Sequence, residues 1–196
     1  MKQIIKIALL GLCFAILTAN QTKADLIISI EESGSDVVFN LSGNVNLNAT
    51  MGYAGIAING NQNIFPSVGA ILMGNPLQSA GYRINTTWAP FGTGALGLFS
   101  STNGDRVSLF APPDPQIGVP IGYISGSPLS ATGTFMGRNF GSLGITRGTY
   151  LTTFSNSGTG ISDTVTVYAG VPEPCGLILC LTAGGFGLSV RRRRSL

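Results

Sequence analysis

The chain has 196 residues, of which 28 are glycine, 10% are charged, three are cysteine and none is histidine. Without histidine, Ser-His and Cys-His nucleophile systems and the usual zinc sites are excluded. The formal net charge is +3, but seven of the 11 basic residues lie at positions 2, 6, 23 and 191–194, whereas all eight acidic residues lie between Asp25 and Glu173. The central region is therefore acidic, and binding to nucleic acid has no electrostatic basis.

The first 24 residues have the pattern of a secretory signal peptide. Lys2 and Lys6 supply positive charge, residues 7–17 are apolar, and the small residue Ala24 ends the segment. Cleavage after Ala24 would make Asp25 the first residue of the mature chain. We therefore expect a signal helix over 1–24, signal peptidase as a partner, and export across the inner membrane.

Residues 25–170 are predicted to form one all-β domain, an antiparallel β-sandwich of jelly-roll or immunoglobulin-like type. Its clearest elements are two hairpins, and the second has Val165 and Val167 alternating with Thr164 and Thr166, so that one face should be buried. The predicted hairpins pair 26–30 with 36–42 and 149–155 with 163–169. Weaker strands are predicted over 46–58, 70–73, 82–87, 107–110, 121–124 and 131–135.

The proline-rich segment 111–116 is predicted to be a loop that crosses between the two sheets. Cys13, Cys175 and Cys180 all lie in the terminal segments, outside the predicted domain. A domain of this length can bury its own core, so we expect it to fold without disulfides.

Candidate catalytic groups in the body are few. Glu31 and Glu32 are adjacent, so on a strand they point to opposite faces, and we expect them to solvate the end of an edge strand. Asp105 and Asp114 lack a neighbouring D-x-D array for calcium, and turn roles are favoured. The string Gly-x-Gly-x-x-Gly at 92–97 lacks the βαβ setting of a nucleotide site. We predict no catalytic residue, no metal and no cofactor, and hence no enzyme.

One aromatic group is a candidate for contact with carbohydrate. Trp88, with Tyr82, Arg83 and Tyr53, could form a stacking platform for sugar rings, because aromatic faces pack against the apolar faces of sugars. The alternative is that Trp88, as the single tryptophan of a sandwich, belongs to the core.

The C-terminal 26 residues combine three features in a fixed order. An extended turn comes first, an apolar stretch follows over 176–190, and a basic cluster ends the chain. At about 1.5 Å per residue a helix of this length spans roughly 22 Å, which is less than a hydrocarbon core of about 30 Å, and the arginines would hold its end on the cytoplasmic side. The turn consists of Val171, Pro172, Glu173 and Pro174, and the cluster of Arg191, Arg192, Arg193 and Arg194.

A signal peptide combined with this Pro-Glu-Pro turn, transmembrane-like helix and arginine cluster resembles the PEP-CTERM sorting signal of bacterial exosortase substrates. The body resembles such proteins more loosely, through Gly141-Ser142-Leu143-Gly144-Ile145 among other segments. The resemblance implies a transient membrane anchor, processing by an exosortase near 172–174, and transfer to the cell surface or an exopolysaccharide-containing extracellular matrix. It predicts an exported, non-enzymatic surface or matrix protein; the alternative is a carbohydrate-binding module that uses Trp88 and nearby aromatic residues.

Overall fold

The computed structural model describes residues 25–58, 61–75 and 78–170. The predicted signal helix and C-terminal helix lie outside these residues. In the described part the chain forms strands β1 (Asp25–Ser33), β2 (Asp36–Gly43), β3 (Gly52–Ile58), β4 (Asn63–Phe65), β5 (Ala70–Met73), β6 (Gln78–Arg83), β7 (Gly97–Leu98), β8 (Ser101–Gly104), β9 (Val107–Phe110), β10 (Gln116–Val119), β11 (Leu129–Phe135), β12 (Gly148–Ser155) and β13 (Ser162–Ala169). Two 3₁₀ turns (Leu47–Ala49 and Pro66–Val68) and one short helix, α1 (Phe140–Leu143), complete it.

The described strands form two sheets. One has the order β12-β13-β1-β2-β11-β8, and the other has the order β3-β6-β10-β9-β5-β4-β7. All neighbouring strands are antiparallel except β1 and β13, which are parallel and align Asp25 with Thr164. The predicted all-β, mainly antiparallel fold is confirmed. The parallel pairing of β1 with β13, which joins the two ends of the domain, was not predicted.

Both predicted hairpins are present. β1 and β2 are joined by Gly34 and Ser35, and Gly34 has a φ of 63°. A glycine with positive φ at the first of the two turn positions is typical of a tight hairpin turn. β1 is not the expected edge strand, because it lies between β13 and β2, but Glu31 and Glu32 do lie at its exposed end, beyond the last residue that pairs with β13.

The core lies between the sheets and follows the period-2 pattern of the strands. On β13, Val165 is 2% and Val167 is 5% exposed, while Thr164 and Thr166 are half-buried on the other face. The burial predicted from the alternation is therefore confirmed. The two inward faces also contribute Leu26, Ile28, Ile30, Val37, Phe39, Leu41, Ile71, Met73, Val107, Leu109, Ile117 and Val119.

Three of the weaker predictions need correction. Segment 121–124 is a turn closed by a hydrogen bond from Tyr123 N to Pro120 O (3.0 Å), and the strand lies earlier, at β10. Pro120 ends that strand because it has no N–H to donate. The strand predicted over 82–87 begins earlier and ends at Arg83. The first part of 46–58 is a 3₁₀ turn capped by the Asn46 side chain.

The proline-rich segment 111–116 does not cross between the sheets. It joins β9 to β10, which are antiparallel neighbours in one sheet, so it is a hairpin loop. The chain passes between the sheets one strand earlier, where β8 of the six-stranded sheet leads through Asp105 into β9 of the seven-stranded sheet.

Candidate functional site

A groove with an exposed tyrosine beside it lies at the β3 edge of the seven-stranded sheet. Tyr53 on β3 is aligned with Tyr82 on β6, and their ring centroids are 5.6 Å apart. Tyr53 is 56% exposed, and Tyr82 is half-buried. We call this the tyrosine groove; it has a volume of about 430 Å³ and is lined by Leu47, Asn48, Thr50, Met51, Gly52, Tyr82, Asn156, Thr159 and Ile161.

Two hydrogen bonds hold the walls of the tyrosine groove, one from the β12–β13 loop and one beside the β3–β6 pair. Asn156, in the β12–β13 loop, donates from its side-chain amide to Thr50 O (2.9 Å). On the opposite side, Met51 N donates to Arg83 O (2.8 Å). The groove therefore combines one tyrosine ring, exposed apolar groups and polar residues whose positions are fixed by hydrogen bonds within the fold.

The Arg83 side chain points away from the tyrosine groove. It follows Tyr82 directly on β6, so the two side chains point to opposite faces of the sheet. Arg83 Nε lies 3.2 Å from Asp114 Oδ1, and Gln116 donates to the other oxygen of the same carboxylate (2.7 Å). Arg83 and Asp114 thus form an exposed ion pair on the other face.

Trp88 belongs to the core. It is 3% exposed, and its indole N–H donates to Phe110 O (2.9 Å). Its ring meets Phe154 at a centroid distance of 6.3 Å. The indole therefore has no open face for a sugar, and the platform expected from Trp88, Tyr82, Arg83 and Tyr53 is reduced to the two tyrosines.

The Gly-x-Gly-x-x-Gly string packs its backbone against the Gly141-Ser142-Leu143-Gly144-Ile145 segment. Thr93 N and Gly94 N both donate to Gly144 O (2.8 and 3.1 Å). A Cβ atom added to Gly92 would lie 2.0 Å from Gly144 O, and one added to Gly94 would lie 1.9 Å from Leu143 O. We call Gly92, Gly94 and Gly144 the glycine clasp. These glycines allow two loops to touch, a structural role that the sequence pattern alone did not reveal.

The carboxylates singled out in the sequence serve as hydrogen-bond acceptors within the fold. Glu32 accepts from Phe140 N (2.8 Å) and pairs with Arg147 Nη2 (2.5 Å), and Asp105 accepts from Ser130 N (2.8 Å). Within the described ranges, His, Cys, Asp and Glu form no group of three that could hold a metal ion.

Two charged residues of the described part of the chain are buried. Arg106 is fully buried, and burial lowers the pKa of its guanidinium; its Nη1 lies 3.5 Å from Gly74 O. Arg106 does not line the tyrosine groove, and we assign it no binding role. Asp163 is 4% exposed, and burial raises its carboxyl pKa to about 6.

The predicted sorting turn 171–174, the apolar stretch 176–190 and the arginine cluster 191–194 lie outside the described residues, as does Ala24 of the predicted cleavage site. Among the residues that are described, no helix has the length and apolar character needed to cross a membrane. Comparison with protein-family models, curated proteins and solved structures finds no match for this chain.

Proposed function

We propose that this protein is an exported, non-enzymatic component of the cell surface or extracellular matrix. The order of its C-terminal segment carries the proposal: an extended Pro-Glu-Pro turn, a short apolar stretch and four arginines, in a chain that starts with a signal-peptide pattern. A signal peptidase and an exosortase would process the two ends, the inner membrane would hold the chain transiently, and exopolysaccharide would be its final surroundings.

The described domain fits between the two proposed processing sites. β1 includes Asp25, the residue after the proposed signal cleavage, and β13 ends at Ala169, just before the sorting turn. Gly170 N still donates to Ile30 O (2.8 Å). Removal of both ends would therefore leave every described strand in place, which supports an address-and-cargo organisation. As part of the proposal, the cargo is a jelly-roll or immunoglobulin-like sandwich.

Replacing Pro172, Glu173 and Pro174 together by alanine is expected to leave export intact and to block C-terminal processing. The signal peptide and the arginine-capped stretch would still act, but the extended turn would be lost, because alanine favours continuation of the helix. Intact mass spectrometry of the surface or secreted form, compared with the unsubstituted protein, measures the effect. If the unsubstituted product still carries Arg191–Arg194, the protein is a permanent single-pass anchor and the proposal fails.

A carbohydrate-binding role is the second candidate, and the exposed Tyr53 with its half-buried neighbour Tyr82 beside the tyrosine groove favours it. Tyrosine faces stack on sugar rings, and the polar residues Asn48, Asn156 and Thr159 are among those that line the same groove. The domain from Asp25 to Gly170 holds seven acidic and four basic residues. Its negative charge favours a neutral polysaccharide over an acidic one.

Replacing Tyr53 by alanine is expected to weaken retention on neutral polysaccharide about tenfold, which corresponds to loss of one stacking contact of about 1 to 1.5 kcal/mol. The exported protein is run on native gels containing soluble β-linked glucans, and its retardation is measured against glucan concentration. Leu98→Ala is the matched control, since Leu98 is also exposed (52%) but lies at the opposite edge of the same sheet. Equal retardation of both variants, or none for the unsubstituted protein, rules out this binding mode.

A further inference from the structure

The carboxyl group of Asp163 lies across the beginning of β1. Its Oδ1 accepts from Thr164 N (2.7 Å) and its Oδ2 accepts from Asn46 N (2.7 Å). Asn46 follows β2, and β1 lies between β13 and β2 in the sheet. A side chain that reaches from the start of β13 to the segment after β2 must pass the first residue of β1, which lies between them. The carboxylate therefore lies beside the first residue of that strand.

The parallel register places the backbone nitrogen of Asp25 next to this carboxylate. Asp25 is aligned with Thr164 and Leu26 with Val165, so the nitrogen of Asp25 is level with the peptide bond between Asp163 and Thr164. Neighbouring strands are about 4.8 Å apart. The carboxylate of Asp25 itself accepts a hydrogen bond from the Thr164 hydroxyl. Asp25 shares the sheet face of Thr164, and Asp163 lies on the opposite face, so we expect the two carboxyl groups to lie on either side of this nitrogen.

No positive side chain compensates these two acids among the described residues. The two ion pairs there, Arg83 with Asp114 and Arg147 with Glu32, lie elsewhere. The charged group that acts on Asp163 is the Asp25 carboxylate, and Asp163 in turn raises the pKa of the Tyr123 phenol; neither partner is a cation. Burial first, and then the charge of Asp25, raise the pKa of Asp163 to about 6, against two backbone hydrogen bonds that lower it. A buried carboxylate with no cation destabilises a fold.

We propose that Asp25 and Asp163 form the binding site for the α-ammonium group that signal-peptide cleavage creates at Asp25. The inference rests on the proposed export, because the cell must cleave after Ala24. Before cleavage the nitrogen of Asp25 belongs to an uncharged peptide bond. After cleavage it is an amine with an ordinary pKa of about 8, protonated at neutral pH. Cleavage therefore supplies a cation where two carboxyl groups lack one, and the mature domain is more stable than the precursor domain.

The test compares two preparations of the chain from Asp25 to Leu196 in detergent, one with a free Asp25 amine and one with that amine acetylated. At pH 7 the free amine is expected to raise the Tm by about 3 °C, the size of effect expected for one partly buried ion pair. The difference should shrink as the pH rises above about 8, because the amine then loses its proton, and as the pH falls below about 6, where the Asp163 carboxyl binds a proton in the acetylated chain. Equal Tm values at pH 7 would overturn the proposal.

Asp163→Asn separates this site from a general effect of acetylation. The variant keeps the shape of the side chain but removes its charge, so it is expected to lose at least half of the Tm difference. An unchanged difference in this variant contradicts the proposal. A second measurement does not depend on the variant folding: the pH dependence of acylation of the α-amine should show a higher pKa in the folded chain than in urea, and equal values would also overturn it.

N-terminal sequencing of the exported protein keeps the two proposals distinguishable. A first residue other than Asp25 would overturn the proposed cleavage, whatever the prepared chains show. If the exported protein does start at Asp25 but the Tm and amine pKa do not respond as expected, the ammonium site is wrong while the proposed export stands.

Discussion

Gly144→Ala is expected to destabilise the domain by about 3 to 5 kcal/mol, because two independent penalties add. Gly144 has a φ of 62°, a left-handed conformation that alanine adopts at a penalty of about 1 kcal/mol. A Cβ atom there would also lie 2.4 Å from Gly94 Cα and 2.5 Å from Gly94 N. Both are backbone atoms, so no side-chain rotation relieves the contact, and the two loops of the glycine clasp must separate.

Gly137→Ala is the matched control for this substitution. Gly137 has nearly the same backbone conformation, with a φ of 64°, but a Cβ atom added there meets nothing within 4 Å. It should lose only the conformational part, about 1 kcal/mol. Chemical denaturation of both variants, with unchanged m-values, measures the difference. If the two variants unfold at the same denaturant concentration, the close approach at the glycine clasp contributes nothing and the clasp is not a structural requirement.

Val165→Asp is expected to be the second severe change, with a loss of about 4 kcal/mol or failure to fold at neutral pH. Val165 is 2% exposed and pairs with Leu26 at the centre of the six-stranded sheet. A carboxylate there would be buried without a cation, so its pKa in the folded state would rise above the unfolded value. The destabilisation should therefore be largest at neutral pH and decrease as the pH falls towards 4.

Thr166→Asp tests the same strand on its other face. Thr166 is half-buried on the face turned away from the core, where a carboxylate stays hydrated. We expect a loss of about 1 kcal/mol or less. Thermal unfolding of both variants between pH 4 and pH 8 distinguishes the faces. Equal sensitivity of positions 165 and 166, or an increase in the loss at Val165 on acidification, would mean that the register of β13 is wrong.

The two hairpins could be predicted from the sequence because their information is local. Alternation of Val165 and Val167 with threonines identifies the buried face, and Gly34 marks the turn between β1 and β2. Such contacts join residues close in sequence, and side chains alternate strictly along a strand. Isolated apolar residues are a weaker signal: Ile121 and Ile124 predicted a strand, but they lie in a turn and are 53% and 74% exposed.

The candidate site was predicted only in part. Tyr53 and Tyr82 are neighbours because β3 pairs with β6, and Trp88 is buried because the loop after β6 packs it against Phe154 of the other sheet. The sequence alone shows only that all three residues are aromatic. Which of them faces solvent depends on the strand partners and on what covers each face, and a single sequence does not encode those long-range pairings in any local pattern.

The sequence by itself determined the all-β class and the buried face of β13, because each depends on short periodic residue patterns. The processing signals at both ends stay a prediction, which rests on an ordered residue pattern alone. Only the tertiary structure decided three further points: the parallel pairing of β1 with β13, the contact of Gly94 with Gly144, and the position of Asp163 beside Asp25. Each joins segments at least 50 residues apart. The physical reason is that such contacts depend on how the two sheets pack and close, and this is a property of the whole domain.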